Sequence, residues 1–373
     1  MTYMIKLTKN NYGLAATLLK ETKHHTAMYT ILSGLTPGSI YVDSLSNPSI
    51  AFAQFQHRAY ISGSLHAIDQ KNLRQFVIEE IFENCRSSNV PMFRLAASDP
   101  AWITLTANSL ADKVPILAIY QCYQYNISSP IENIPIPQGF VFRPVNEFLL
   151  SKDFQGKTDL LEEMCSERET IESFLEHSFG IAAFHKKELA GWCLSEYNFK
   201  NQCEVGIATL PKFRHQGLAT AMTQSFLNQA HTNGIDTILW HCSKSNTASR
   251  KTALSSGFTL QKEEQVLIHY IDQAVHFGVQ GNLRFFKDEY EEALSWYEKS
   301  LAEETPPGWV AWNAACAASQ ISQIDPAFKY LNMSINLGFT DMDRLTQSKH
   351  MKHLKDDPRW REIISKLTQY LSY

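Results

Sequence analysis

Apolar positions change their spacing along this chain, and the changes predict its elements. Residues 39–55, SIYVDSLSNPSIAFAQF, read as two strands around a turn built on Asp43, Asn47 and Pro48. Phe76, Ile78, Ile81 and Phe82 then recur at helical spacing, which marks one buried face. MFRLAAS predicts a strand, AWITLTANSLAD a helix and ILAIYQCYQYNI a strand. The first stretch is therefore strand, strand, helix, strand, helix, strand.

The middle stretch repeats much of that order. GFVFRPV, GIAAFHK, LAGWCLSEY and CEVGIATL predict strands. A glycine-containing loop then leads into a helix whose Leu218, Met222, Phe226 and Ala230 share a face. TILWHCS predicts a strand, NTASRKTALSS a helix, and GFTLQKEEQVLIHYI a closing hairpin. Strands and helices mixed around one sheet make an α/β or α+β domain. The proline-rich NISSPIENIPIPQG separates the two stretches.

Beyond Ile271 the pattern is helical, with an internal period. Gly281, Ala293, Tyr297 and Ser300 match Ala315, Ala327, Leu331 and Ser334, 34 residues on. That period resembles the tetratricopeptide repeat, a helical hairpin in which small residues permit close packing. A last helix carries Trp360, Ile363, Ile364, Leu367 and Leu371 as one stripe. The expected division is 1–128, a linker at 129–136, 137–272, and an all-α, TPR-like domain at 275–373.

Composition narrows the functions. The 373 residues are 44% hydrophobic and 19% charged, with a net charge of -4 and no basic stripe, which argues against nucleic acid. No apolar run reaches membrane-spanning length or forms a signal core, so a cytoplasmic protein without a membrane partner is expected. Seven widely spaced cysteines without a C-x-x-C pair argue against a disulfide framework and a zinc site. His350 and His353 lack companion ligands, and no metal is expected. The strings G-x-S-x-G, G-x-x-x-x-G-K-[ST] and H-E-x-x-H are absent.

The informative string is EVGIATLPKFRHQGLATAM, Glu204 to Met222. It predicts a strand, a turn at Pro211, and a loop whose Gly217 admits close backbone approach before a helix begins. Unpaired N–H groups and the dipole at a helix start attract anions, which suits a pyrophosphate.

The string resembles the acetyl-CoA loop of the GNAT superfamily, R/Q-x-x-G-x-G/A, with Arg214, Gly217 and Ala219 at the constrained positions. Asn246 to Phe258 resembles the helix and GF turn that wall the far side of that site. The likeness extends to two-part GNAT proteins with an additional N-terminal half, across about 260 residues. It implies an acyl-CoA N-acyltransferase fold, splayed between its fourth and fifth strands. The first half lacks R-x-x-G-x-A and is read as a degenerate GNAT-like copy.

The resemblance also implies an enzyme, with acetyl-CoA (coenzyme A) as donor and direct attack by an amine. Ile207, Ala208 and Thr209 would flank the pantetheine and polarise the thioester. Arg214, His215, Gln216, Gly217, Leu218, Ala219 and Thr220 would hold the pyrophosphate, and Asn246 and Ser249 would meet the pantetheine or thiol. Glu204 is a candidate base or a solvated strand-edge carboxylate; His241 is a second candidate base or a packed strand histidine. Where many members carry a tyrosine acid, four residues before the glycine of the GF turn, this chain has Ala253. Trp192, Tyr197 and Phe199 line an acceptor pocket or simply fill the core, and Glu167, Glu169, Glu172 and Glu176 attract a cation or form a wet helix face.

The expected activity is N-acetylation of a small-molecule or peptide amine. A protein partner is expected for the TPR-like tail. The rival expectation is a non-catalytic scaffold that uses the tail and carries an inert platform.

Overall fold

The computed structural model describes residues 4–20, 24–129, 135–166, 168–339 and 341–370. Most of the proline-rich linker and Glu167 lie outside these. The chain forms two compact units, Met1–Ile268 and His269–Tyr373.

In the first unit the N-terminal half runs β1 (Ile5–Lys6), α1 (Gly13–Leu19), α2 (Thr26–Leu32), β2 (Ser39–Val42), β3 (Ile50–Phe55) and β4 (Arg58–Gly63). It continues with α3 (Gln70–Gln75), a wide π turn at Phe76–Phe82, α4 (Glu83–Ser87), β5 (Met92–Ala97), α5 (Pro100–Ser109) and β6 (Ile116–Asn126). The apolar run Phe76, Val77, Ile81 and Phe82 is buried along that π turn. The second half runs β7 (Phe140–Pro144), α6 (Glu147–Leu150), α7 (Lys157–Ser166), α8 (Ile171–His177), β8 (Gly180–His185), β9 (Glu188–Phe199) and β10 (Gln202–Thr209). It closes with α9 (Leu218–Thr232), β11 (Thr237–Ser243), α10 (Thr247–Ser255) and β12 (Thr259–Tyr270).

All these strands join one 12-stranded sheet, ordered β1-β2-β3-β4-β5-β12-β6-β11-β10-β9-β8-β7. The halves exchange their last strands: β12 lies beside β5, and β6 pairs antiparallel with β11. Neither half completes its sheet alone. The closing segment, expected as a hairpin, is instead one continuous strand. It lacks Gly, Pro, Asn or Asp between Thr259 and Tyr270 to turn the chain, and it pairs with β6 from Thr259 to Ile268, interrupted only by an irregularity between Leu260 and Lys262.

Strand alternation in the second half feeds two cores on opposite faces. Ala190, Cys193, Trp240 and Cys242 pack with Met222, Phe226 and Ala230 of α9, the stripe that the helical spacing predicts. Leu189, Trp192 and Leu194 pack with Leu160, Met164 and Phe174 of α7 and α8. Fully burying each large apolar side chain is worth about 1.5–3 kcal/mol, which fixes strand register and hence the backbone path through the site.

The second unit is helical: α11 (Gln273–Phe285) packs on α12 (Tyr290–Leu301), and α13 (Gly308–Gln320) on α14 (Ile324–Asn336). α15 (Met342–Gln347) and α16 (Arg359–Tyr370) follow. Gly281 is needed because a Cβ there would meet the Tyr297 ring at 2.4 Å. One period later, Ala315 and Leu331 are both buried in the core of this unit.

Candidate active site

β10 and β11 are the fourth and fifth strands of the second half. They pair only at Gln202↔Thr237, Cys203↔Ile238 and Glu204↔Leu239. Beyond that point β10 keeps its other neighbour, β9, as far as Thr209, while β11 pairs with β6 as far as Ser243. The sheet therefore opens into a V along 205–209 and 240–243. The corresponding strands of the first half stay closed: β4 and β5 pair from Arg58↔Arg94 to Ile61↔Ala97, and Ser98 N donates to Ile61 O at 3.1 Å.

Main-chain groups line one wall of the V. Leu210 N donates to Ala190 O on the β9 side. Alternation then turns Ala208 toward β9, and Ile207 and Thr209 toward the opening. In agreement, Thr209 O accepts from Arg214 Nε at 3.0 Å.

At the mouth, Arg214 N is spent on Pro211 O at 3.3 Å, and helical bonding starts with Ala221 N to Gly217 O. Among the described residues, no intramolecular hydrogen bond engages the N–H groups of His215, Gln216, Gly217, Leu218, Ala219 or Thr220. His215 and Gly217 adopt left-handed backbone, with φ 63° and 74°. Gly217 is the uncapped N-cap of α9, and nothing lies within 4 Å of a Cβ built on it. Such a concave run of donors at a helix start is an anion cradle. The first half has its counterpart neutralised, because Asp69 caps α3 by accepting from Asn72 N at 2.8 Å. A carboxylate already sits where an anion would go.

On the far wall, Asn246 Oδ1 caps α10 through Ser249 N at 3.1 Å, and Ser249 Oγ accepts from Trp240 Nε1 at 2.9 Å. Ala253 is fully buried and brings no hydroxyl to the site. Trp192 and Tyr197 are buried on β9, while Phe199 stacks on Tyr29 of α2 at 5.5 Å. Glu169, Glu172 and Glu176 are exposed at the surface.

Where the V closes, the polar groups come from both halves. Glu204 is only 2% exposed and receives Arg58 Nη1 of β4 at 2.9 Å. Arg58 Nη2 also reaches Glu196 of β9 at 2.9 Å, and the guanidinium lies over the Tyr197 ring. His241 Nδ1 lies 3.5 Å from Glu204, and the His241 ring stacks on His25, the N-cap of α2, at 5.0 Å and 11°. His25 in turn meets Glu264 of β12 at 2.8 Å.

Burial is the largest single influence on Glu204 and opposes its charge, but His241 and Arg58 together outweigh it and hold the carboxyl well below its ordinary range. For His241, burial opposes protonation, yet the Glu204 charge and contact with Cys122 raise its pKa well above the ordinary value. Burial lowers His25 despite Glu264. His25, Glu204 and His241 have ligand atoms within 4.8 Å of one another. Stacked rings keep their lone pairs in near-parallel planes, and Arg58 already supplies the cation, so the cluster suits proton sharing better than metal ligation.

A free amide cradle, an opened fourth and fifth strand, and a helix wall on the far side occur together in this order. The family model for GNAT acetyltransferases matches residues 16–267. The chain belongs to the GNAT acetyltransferase family. It is 25% identical over 260 residues to an uncharacterized N-acetyltransferase, YdfB, of Bacillus subtilis (strain 168), covering 69% of this chain and 95% of that one. Its fold is similar to that of a GCN5-related N-acetyltransferase-like protein from Streptococcus suis 89/1591, with TM-score 0.53, 19% identity, and 70% of this chain and 98% of that one covered. A GCN5-related N-acetyltransferase from Sphaerobacter thermophilus superposes with TM-score 0.50 at 11% identity, over 72% of this chain and 96% of that one.

The GNAT match spans both halves and stops short of the helical unit. Sequence reasoning singled out Glu204 and His241 but missed His25, Arg58, Glu196 and Glu264. Three of the four are isolated charges on strands and His25 is a lone imidazole before a short helix, and only the strand exchange brings them together.

Proposed function

We propose that the second half binds acetyl-CoA and transfers its acetyl group to an amine by direct attack. The observation that carries this reading is the row of unengaged amides from His215 to Thr220 at the mouth of the V. In this reading these amides and Arg214 hold the pyrophosphate. Ile207 and Thr209 present main-chain donors along the pantetheine and to the thioester carbonyl, with Ala208 between them. Asn246 and Ser249 wall the far side. A donor aimed at developing oxyanion charge is worth about 2.7–4 kcal/mol of barrier.

Glu204 and His241 stand at the closed end of the V, which suits a part in handling the amine's proton. As an ion pair they act together: Glu204 is the counter-ion, and His241 is the group whose proton can be exchanged. Acceptors in this reading are small molecules or peptides. The TPR-like tail recruits a protein. The setting is cytoplasmic; the seven cysteines are unpaired, and no helix among the described residues is long and apolar enough to cross a membrane.

Calorimetric titration of acetyl-CoA into the full chain and into Gly217→Glu tests the assignment. Wild type should bind at micromolar cofactor. The variant should lose binding because its carboxylate enters the cradle, whereas Gly217→Ala, which carries the same left-handed backbone strain with open space around its methyl, should retain more of it. Equal binding by both, or none by wild type, contradicts it, and the scaffold reading then takes its place.

A further inference from the structure

A small cavity lies beside the His241 ring, lined by His25, Arg58, Tyr60, Arg94, His241 and Glu264. It has room for about one water molecule and for nothing larger. A protonated His241 needs two acceptors, because both ring nitrogens then donate. Nδ1 has Glu204, at 3.5 Å. Nε2 is buried without a well-formed hydrogen bond among the described residues, and Cys122 on the neighbouring strand offers only a weakly accepting sulfur. Tyr60 has the same deficit: the residue is 1% exposed, and its Oη lacks a well-formed bond. Burial pushes that phenol above its ordinary range, so it remains a hydroxyl. The His25 ring lies 5.0 Å from His241 and 4.9 Å from Tyr60, and its near-parallel stacking at 11° aims neither of its nitrogens at His241.

The remaining lining fixes the chemistry of the occupant. Arg58 and Arg94 bring donors only, and together with His241 they repel a cation. Arg94 lies over the Tyr120 ring at 5.0 Å. The Glu264 carboxylate already meets His25 at 2.8 Å and Lys262 at 3.0 Å, and each of its oxygens keeps a further lone pair. Water answers all of this: it accepts from His241 and Tyr60 and donates to Glu264, the three hydrogen bonds usual for a buried water.

We infer that one water molecule bound in this cavity joins His241 Nε2 and Tyr60 Oη to Glu264. It holds the His241 ring and satisfies the second N–H that protonation adds. The role of this site in acetyl transfer rests on the function proposed above. There, Tyr60 is a positioning residue, through which the N-terminal half steadies the imidazole that handles the amine's proton.

Two readouts on the full chain need neither donor nor acceptor. A high-resolution crystal structure should show one ordered water within hydrogen-bond distance of His241 Nε2, Tyr60 Oη and Glu264. Nitrogen NMR on histidine-labelled protein then follows the titration of His241. Ala96 also lines the cavity, on the strand face of Arg94, so Ala96→Val fills the space and keeps every titratable group. His241 should titrate roughly one to two units lower in Ala96→Val, because its second N–H loses an acceptor. Tyr60→Phe should shift it in the same direction. A folded Ala96→Val with His241 within about 0.3 units of wild type overturns the inference. A shift in Tyr60→Phe but none in Ala96→Val also overturns it, since Tyr60 would then act without the water. A wild-type cavity without ordered water overturns it whether or not the variants fold. Failure of wild type to bind acetyl-CoA in calorimetry removes the role in acetyl transfer alone; density and titration still decide the water site.

Discussion

Arg58, on the fourth strand of the N-terminal half, places its guanidinium 2.9 Å from the carboxylate of Glu204, on the fourth strand of the second half. The half without an anion cradle thus supplies the cation on which the other half's buried acids depend. Arg58→Met removes the guanidinium that Glu204 and Glu196 share and leaves Glu204 to His241. Removing one partner of a buried pair costs about 3–5 kcal/mol. Denaturant unfolding should show a loss of that order, and Arg58→Lys should recover part of it. A loss under about 1 kcal/mol contradicts the pairing.

Acid should weaken the same seam. Glu204 is held below its unfolded value near 4.5 by His241 and Arg58, against the opposing effect of burial. Its ionised form therefore favours folding fully above about pH 4.5, and the contribution fades as pH falls further. His241, raised above 6.5, contributes in the opposite sense: fully below 6.5, and less as pH rises through its folded value. Unfolding free energies between pH 3 and 7 should fall more steeply on the acid side for wild type than for Glu204→Gln. Identical slopes exclude Glu204 as the source.

The helix caps separate stability from binding. Asp69 and Asn246 each cap a helix through one side-chain oxygen. Replacing either with Ala should cost about 1 kcal/mol in unfolding experiments. Asp69→Ala should leave acetyl-CoA affinity unchanged, whereas Asn246→Ala should weaken it several-fold. Equal effects on affinity would remove Asn246 from the cofactor wall.

How far the chain declares this arrangement depends on the range of the interaction. Local periodicity exposes the core stripe Leu218, Met222, Phe226 and the strands around it, because each reports its own burial. Gly217 and the residues flanking it form a contiguous string, so the cradle is legible there. The run from Thr259 to Tyr270 misleads, because its many polar residues suggest two short strands. It is one strand because β6 of the other half supplies a partner for most of its length. Arg58 and Glu196 are invisible for the same reason: their meaning comes from residues 146 and 138 positions away. Asp69 emerges as a cap only in the structure, and its significance comes from the contrast with the uncapped Gly217.

The helical unit is expected to stand apart from cofactor chemistry. A methyl at Gly281 meets Tyr297 at 2.4 Å, so Gly281→Ala should destabilise that unit by about 1–3 kcal/mol through overpacking. Thermal unfolding followed by tryptophan fluorescence should detect this. Acetyl-CoA affinity should remain that of wild type; a parallel loss would make the tail part of the donor site.

The free amides between His215 and Thr220 are the proposed seat of the donor's pyrophosphate. Amide hydrogen exchange, read by mass spectrometry on peptides spanning this loop, measures those N–H groups directly. Saturating CoA should slow exchange from His215 to Thr220, while the Asp69 loop of the first half remains unchanged. Unaltered exchange across the Gly217 loop under conditions where CoA binds would place the pyrophosphate elsewhere.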